Sequence, residues 1–240
     1  FGVKAAIMPL HGWVPDAHPA APAPASALLS GVMVAAGAFG IIRVIYNVFG
    51  TQLLKQLGMG VLLAYFVCAT IIISSLIALD QDNLKRRLAY STIGQISYIV
   101  MGTALLTDVG AQGALIHIAN HAFMKGTLFL CAGVIIKQLG KRNISEMKGI
   151  ASRLPVTMTA FSIAALGMIG VPPLAGFISK WYLGIGALDA GEPLMVVVLL
   201  TSSLIGAAYF LPIIYTAFFQ ESEEKLKVTA KRAHQKLRPV

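Results

Sequence analysis

Residues 113–133, GALIHIANHAFMKGTLFLCAG, set His117, His121 and Lys125 at intervals of four inside an otherwise mostly apolar run of about one membrane thickness. A helix turns ~100° and rises ~1.5 Å per residue, so steps of four keep the three side chains on one stripe, with ~6 Å between neighbours. A charge at the centre of a spanning helix costs roughly 2.5–3.5 kcal/mol on insertion scales, and such residues therefore face a bundle interior or hydrated cavity. Three titratable groups on one face predict a hydrated path through a helical bundle. Composition agrees: 57% of the 240 residues are hydrophobic and 12% charged, against roughly 25% charged in a soluble domain. The chain reads as an integral, multi-pass membrane protein, expected in a prokaryotic inner membrane.

The net charge of +9 does not point to nucleic acid. Most basic residues lie between apolar runs or in the tail, where they anchor the cytoplasmic side against the lipid bilayer. Arg43 and Lys55 end their runs and can snorkel. Cys68 and Cys131 sit inside apolar runs and read as small buried hydrophobes rather than a disulfide or metal pair. The chain opens at Phe1, within an apolar segment that already carries Lys4, and the natural protein is expected to extend upstream.

Residues 1–25 contain Pro9, Pro15, Pro19, Pro22 and Pro24, too many for a continuous helix because each ring removes an amide donor and crowds the preceding turn. A broken spanning segment points to a functional interior. Lys4, His11, Asp16 and His18 surround this break. Lys4 stands among apolar residues and reads as functional; Asp16 and His18 read as a polar loop at the membrane surface, with an auxiliary role for them and His11 as the alternative. Spans are expected at 26–49, 57–79, 90–107 and 111–136, with a polar connection over 80–88. A further crossing at 154–188 is interrupted by GVPPLAGF at 170–177, a second broken helix, with Lys180, Trp181 and Tyr182 just beyond. Lys180 reads either as an interfacial anchor beside an aromatic belt or as part of a path. The last span is 193–219. Residues 1–219 form the transmembrane domain and residues 220–240 a cytoplasmic basic tail. Basic loops around Lys85 and Lys137–Arg153 share a side, which the charge rule makes cytoplasmic; Asp108, Asp189 and Glu192 fall outside. The paired breaks, each with a nearby lysine, hint at inverted repeats. Overall the fold class is all-α, a polytopic helix bundle with two broken helices.

Four ordered segments carry a family resemblance: KAAIMPLHGWVPDAHPAAPAPASALLSG at 4–31, DNLKRRLAYSTIGQISYIVMG at 82–102, HIANHAFMKGTLFLCAG at 117–133 and GVPPLAGFISK at 170–180. Together they resemble the antiporter-like subunits shared by respiratory complex I, Mrp-type sodium/proton antiporters and energy-converting membrane hydrogenases. The DAHPAAP and SALLSG pieces look nearer to the Mrp and hydrogenase types, whereas PLHGWVPDAH also suits complex I, and no motif separates the branches. The resemblance implies the C-terminal half of a subunit of about fourteen spans built from two inverted five-helix repeats. That subunit moves protons, with Na⁺ as a further candidate ion, while other membrane subunits carry redox chemistry or cation exchange. No cofactor or metal is expected in this chain. By position Lys4 matches a family lysine whose glutamate partner lies two spans upstream, outside this chain. His117, His121 and Lys125 match the central polar axis, and Lys180 the residue at the outward end of the second half-channel. Ala35 departs from the pattern, standing where many relatives carry a lysine.

Two other readings remain at this stage. An intramembrane metalloenzyme is one, since histidines at i and i+4 can chelate zinc, but the third polar member of the stripe is a lysine and no carboxylate lies on that stretch. A purely structural anchor would tolerate replacement of every lysine and histidine named above.

Overall fold

The computed structural model describes residues 1–221; the basic tail expected over 220–240 lies almost wholly outside the described residues. After a series of turns over residues 2–12, α1 (Trp13–Ala20) and α2 (Ala23–Leu28) meet at a corner, and α2 continues through a π-helical turn, Leu29–Met33, into α3 (Val34–Arg43) and a second π turn, Val44–Phe49. Then follow α4 (Thr51–Gln56), α5 (Met59–Asp80), α6 (Leu84–Ala104), α7 (Asp108–Leu139), α8 (Pro155–Ile169), α9 (Ala175–Asp189) and α10 (Pro193–Phe219). Among the described residues, four continuous helices are long and apolar enough to cross a membrane: Ala23–Phe49, α5, α7 and α10. The 32 residues of α7 reach about 48 Å at ~1.5 Å each, more than a ~30 Å hydrocarbon core needs. The chain is an integral membrane protein of all-α class, with both expected interruptions present.

Local chemistry sets the helix limits. Asn83 caps α6 by accepting the Arg86 amide at 3.1 Å, and Thr107 caps α7 by accepting the Gly110 amide at 3.1 Å, each satisfying an orphan donor of the first turn. Pro155 and Pro193 open α8 and α10, where the missing donor is of no consequence. Gly170 closes α8 at φ 94°, backbone that a side chain tolerates poorly.

One boundary differs from expectation. The segment 80–88 is not a polar connection before a span at Tyr90; α6 begins at Leu84, so Lys85, Arg86 and Arg87 form its first turn. Every residue of α6 except Arg86 and Tyr90 is buried. This central helix is shielded from lipid by its neighbours and carries Ser91, Thr92, Gln95, Ser97 and Thr103. The Thr92, Ser97 and Thr103 hydroxyls donate to carbonyls four residues back at 2.9, 2.9 and 2.7 Å, which satisfies each donor within α6 itself. Around α6 pack α5, α7, α1 and α3. On its far side α7 lies against α9, and Gly113 permits the approach: a Cβ there would stand 2.9 Å from the Leu183 amide nitrogen.

The two basic loops meet at one end of the bundle. Leu84 donates its amide to the Arg142 carbonyl at 3.0 Å, and Ile144 donates to the Asp82 carbonyl at 2.8 Å. At the opposite end Tyr65 donates to Glu192 at 2.6 Å. This places Lys85 and the 137–142 segment together and Glu192 away from them, as the span count requires.

Candidate functional site

The stripe on α7 faces inward. His117, His121 and Lys125 are each fully buried, and Lys125 is among the largest buried side chains in the protein. Its Nζ donates to Ser91 Oγ at 2.7 Å and to the Leu88 carbonyl at 2.9 Å, both on α6, and lies 5.9 Å from the Phe210 ring centroid. One turn away along α7, His121 has no hydrogen-bond partner at either ring nitrogen among the described residues. Its ring centroid is 6.2 Å from that of His117. His117 Nδ1 pairs with Ser179 Oγ on α9 at 2.8 Å, and its Nε2 has no partner among the described residues.

Ser179 carries the row onto the second broken helix, where Lys180 follows directly in sequence. Lys180 is half-buried. Its Nζ donates to the Met168 carbonyl at 3.0 Å, the Ile169 carbonyl at 2.8 Å and Ser203 Oγ at 2.8 Å. The first two acceptors belong to the last turn of α8, whose carbonyls the helix break leaves without intrahelical partners. An ammonium there also complements the negative end of the helix dipole. Lys180 is therefore a helix cap by geometry, and it points back into the break. Tyr98 touches two members of the row, Lys180 and His117. Its ring lies 5.3 Å from Lys180 Nζ and 5.7 Å, edge-on, from the His117 ring, while its hydroxyl pairs with Ser202 at 2.6 Å.

The residues around the first break fare differently from one another. Lys4 is exposed and is not brought to the row. Asp16 is exposed and stands 3.9 Å from Arg86, as a surface position should. His18 contradicts the surface-loop reading: it is fully buried, stacked on Phe129 with centroids 4.5 Å apart, and neither ring nitrogen has a partner among the described residues. The corner between α1 and α2 folds it inward, one turn of α7 beyond Lys125. His11 is half-buried, its ring 6.3 Å from that of Tyr90. Ala35 is buried in apolar packing on α3, and nearby on the same long helix Ser30 pairs with Thr92 of α6 at 2.7 Å.

Ser91, Ser179, Ser203 and Tyr98 are site residues that sequence reasoning missed, since hydroxyls in apolar helices are common and declare nothing without their partners. Lys85 was also missed as a buried group: it is 6% exposed, although its charge alone placed it at a surface. A faint signal was present in YSTIGQIS at 90–97, where Ser91, Thr92, Gln95 and Ser97 crowd an expected span.

Residues 1–206 match the family described as NADH:quinone oxidoreductase/Mrp antiporter, TM. The chain is 42% identical over 220 residues to NADH-quinone oxidoreductase subunit N of Desulforudis audaxviator, an overlap of 91% of this chain and 44% of that protein. It is 43% identical over 197 residues to hydrogenase-4 component B of Escherichia coli, covering 76% of this chain and 29% of the other. Among solved structures it matches a chain of the Mrp complex from Dietzia sp. with a TM-score of 0.86 at 30% identity, over 92% of this chain and 41% of that one. A chain of the membrane-bound sulfane sulfur reductase, an archaeal respiratory membrane complex, matches with a TM-score of 0.85 at 30% identity, over 98% and 49%. The chain spans less than half the length of each of these relatives. From the stripe, the two breaks and these matches together, the chain belongs to the NADH:quinone oxidoreductase/Mrp antiporter transmembrane family.

Proposed function

We propose that this chain forms part of a proton-translocating membrane subunit in which Lys125, His121, His117 and Lys180 carry protons along one buried row. The observation that carries the reading is the alignment of these groups on two packed helices, with Lys125 bonded to Ser91, His117 to Ser179 and Lys180 to Ser203. Buried polar atoms left without partners cost roughly 1–3 kcal/mol each. Three unpartnered ring nitrogens on His117 and His121 therefore favour hydration, and bridging water suits steps of ~6 Å that exceed a direct hydrogen bond. Alternating neutral imidazoles and amines with such water is a proton wire in chemical terms. His18 would extend it past Phe129, with His11 and Asp16 as auxiliary polar groups nearer the surface. Lys4 enters on its match to the family motif alone. Relatives in NADH-quinone oxidoreductase, hydrogenase and Mrp complexes support partner subunits in a respiratory, hydrogenase or Mrp-type assembly; those partners supply the redox chemistry or cation exchange, and Na⁺ is a second candidate ion.

The test is Lys125→Met, which keeps length and apolar packing while removing the charge. Proton flux is measured on the intact complex reconstituted in vesicles, with subunit content checked in parallel. Flux should fall strongly at normal content. Unchanged flux would make Lys125 a tolerated buried charge and favour the structural-anchor reading.

A further inference from the structure

Away from the row, a cavity of about 310 Å³ opens where the corner after α1, the start of α6 and the last turns of α7 converge. Its chemistry has one sign: Lys85, Lys137 and Arg142 line it beside Asn83, and no carboxylate does. Among the described residues none of these three cations forms an ion pair. Lys85, at the inner side, donates to the Ala21 carbonyl at 2.7 Å and reaches Ser26 Oγ at 3.5 Å. Neutral acceptors of this kind do not balance a cation withdrawn from water. Lys137 and Arg142 are exposed at the mouth, so a small anion seated between them meets charge on more than one side.

The apolar approach to the cavity decides what kind of anion this is. Phe123, Leu130 and Lys137 recur every seven residues and share one face of α7. Phe123 is 79% and Leu130 49% exposed, which leaves an apolar face along the helix that leads to Lys137 at the cavity. A free oxyanion would use the cations and leave that face idle. An amphiphile with a phosphate at one end and an acyl chain at the other uses both. By the distribution of basic loops this end of the bundle is cytoplasmic, where anionic lipids concentrate and basic pockets between helices hold their headgroups.

We propose that the cavity bounded by Lys85, Lys137 and Arg142 binds the phosphate of an anionic phospholipid, whose acyl chain lies along the Phe123–Leu130 face of α7. The site is separate from the proton row and stands whether or not that row conducts. Lys85 supplies the inner contact, and the two exposed cations supply selectivity for a net negative headgroup over a zwitterionic one.

The experiment is native mass spectrometry of the delipidated intact complex, titrated with phosphatidylglycerol, phosphatidylcholine or inorganic phosphate. Wild type should retain phosphatidylglycerol about tenfold more tightly than phosphatidylcholine. Lys137→Gln with Arg142→Gln, both exposed and away from core packing, should lose about that tenfold preference. Lys141→Gln with Lys148→Gln removes the same charge from the same end outside the cavity and should change retention less than about twofold. Inorganic phosphate should not displace the lipid. Equal loss in both double variants would reduce the effect to general surface charge. Retention by the first double variant, or displacement by inorganic phosphate, would equally overturn the proposal.

Discussion

Replacing Lys180 by arginine separates two roles that the structure gives one side chain. Lys180 Nζ donates to the Met168 and Ile169 carbonyls and to Ser203 at 2.8–3.0 Å. Removing the charge outright would strip partners from two terminal carbonyls of α8, at ~1–3 kcal/mol each, while recovering an insertion cost of roughly 2.5–3.5 kcal/mol. Those terms nearly cancel, so a neutral variant tests conduction poorly and stability ambiguously. Arginine keeps the charge and the donors, but it cannot release its proton at accessible pH. Space decides whether it fits. A Cβ on Gly170 would come within 2.9 Å of Lys180 Cδ, so the break side is tight. Beyond that contact Lys180 borders an apolar cavity of about 400 Å³, which Gly170 lines together with Trp181, Leu188 and Leu200. The extra bulk of the arginine side chain is expected to be taken up at that cavity while its N–H groups stay on the α8 carbonyls, within the ~1–3 kcal/mol that overpacking costs. The Lys180→Arg complex should therefore assemble at normal subunit content, while proton flux into vesicles drops by about 10²-fold, the low end of what a positioned proton-transfer group contributes. Full flux at normal content would show that Lys180 only caps α8, and the row would have to leave the protein elsewhere.

Two further outcomes are expected. Ser179→Ala leaves His117 Nδ1 without its 2.8 Å partner; it should lower the melting point of the complex by an amount equivalent to ~1–3 kcal/mol and slow proton flux, and unchanged values of both would detach Ser179 from the site. For topology, single cysteines at positions 141 and 108, treated with an impermeant thiol reagent on intact cells, should label only at 108, because the charge rule predicts a cytoplasmic Lys137–Arg153 loop; labelling at 141 from outside would invert the scheme.

The sequence by itself determined the features whose physics is local. Helical periodicity placed His117, His121 and Lys125 on one stripe before any partner was known, since intervals of four repeat regardless of surroundings. Proline density fixed the first interruption, and the glycine and paired prolines at 170–173 fixed the second, because missing donors and restricted backbone act within a turn. Apolar run length likewise gave the spans of Ala23–Phe49, α5 and α10 to within a few residues. Tertiary structure decided what depends on which helix stands beside which. The most buried helix, α6, is less apolar than the lipid-facing ones, and its basic first turn reads as a loop until surrounding helices are seen to shield it. His18, taken for a surface residue by its polar neighbours, is carried inside by a corner at Ala21–Pro22 and stacks on a ring more than one hundred positions later. Ser179 reaches His117 across 62 residues of chain, and Lys180 caps α8 only because the α8 carbonyls end beside it. A buried charge is legible as an anomaly from composition. Its acceptors come from distant segments, so their identity is settled by packing alone.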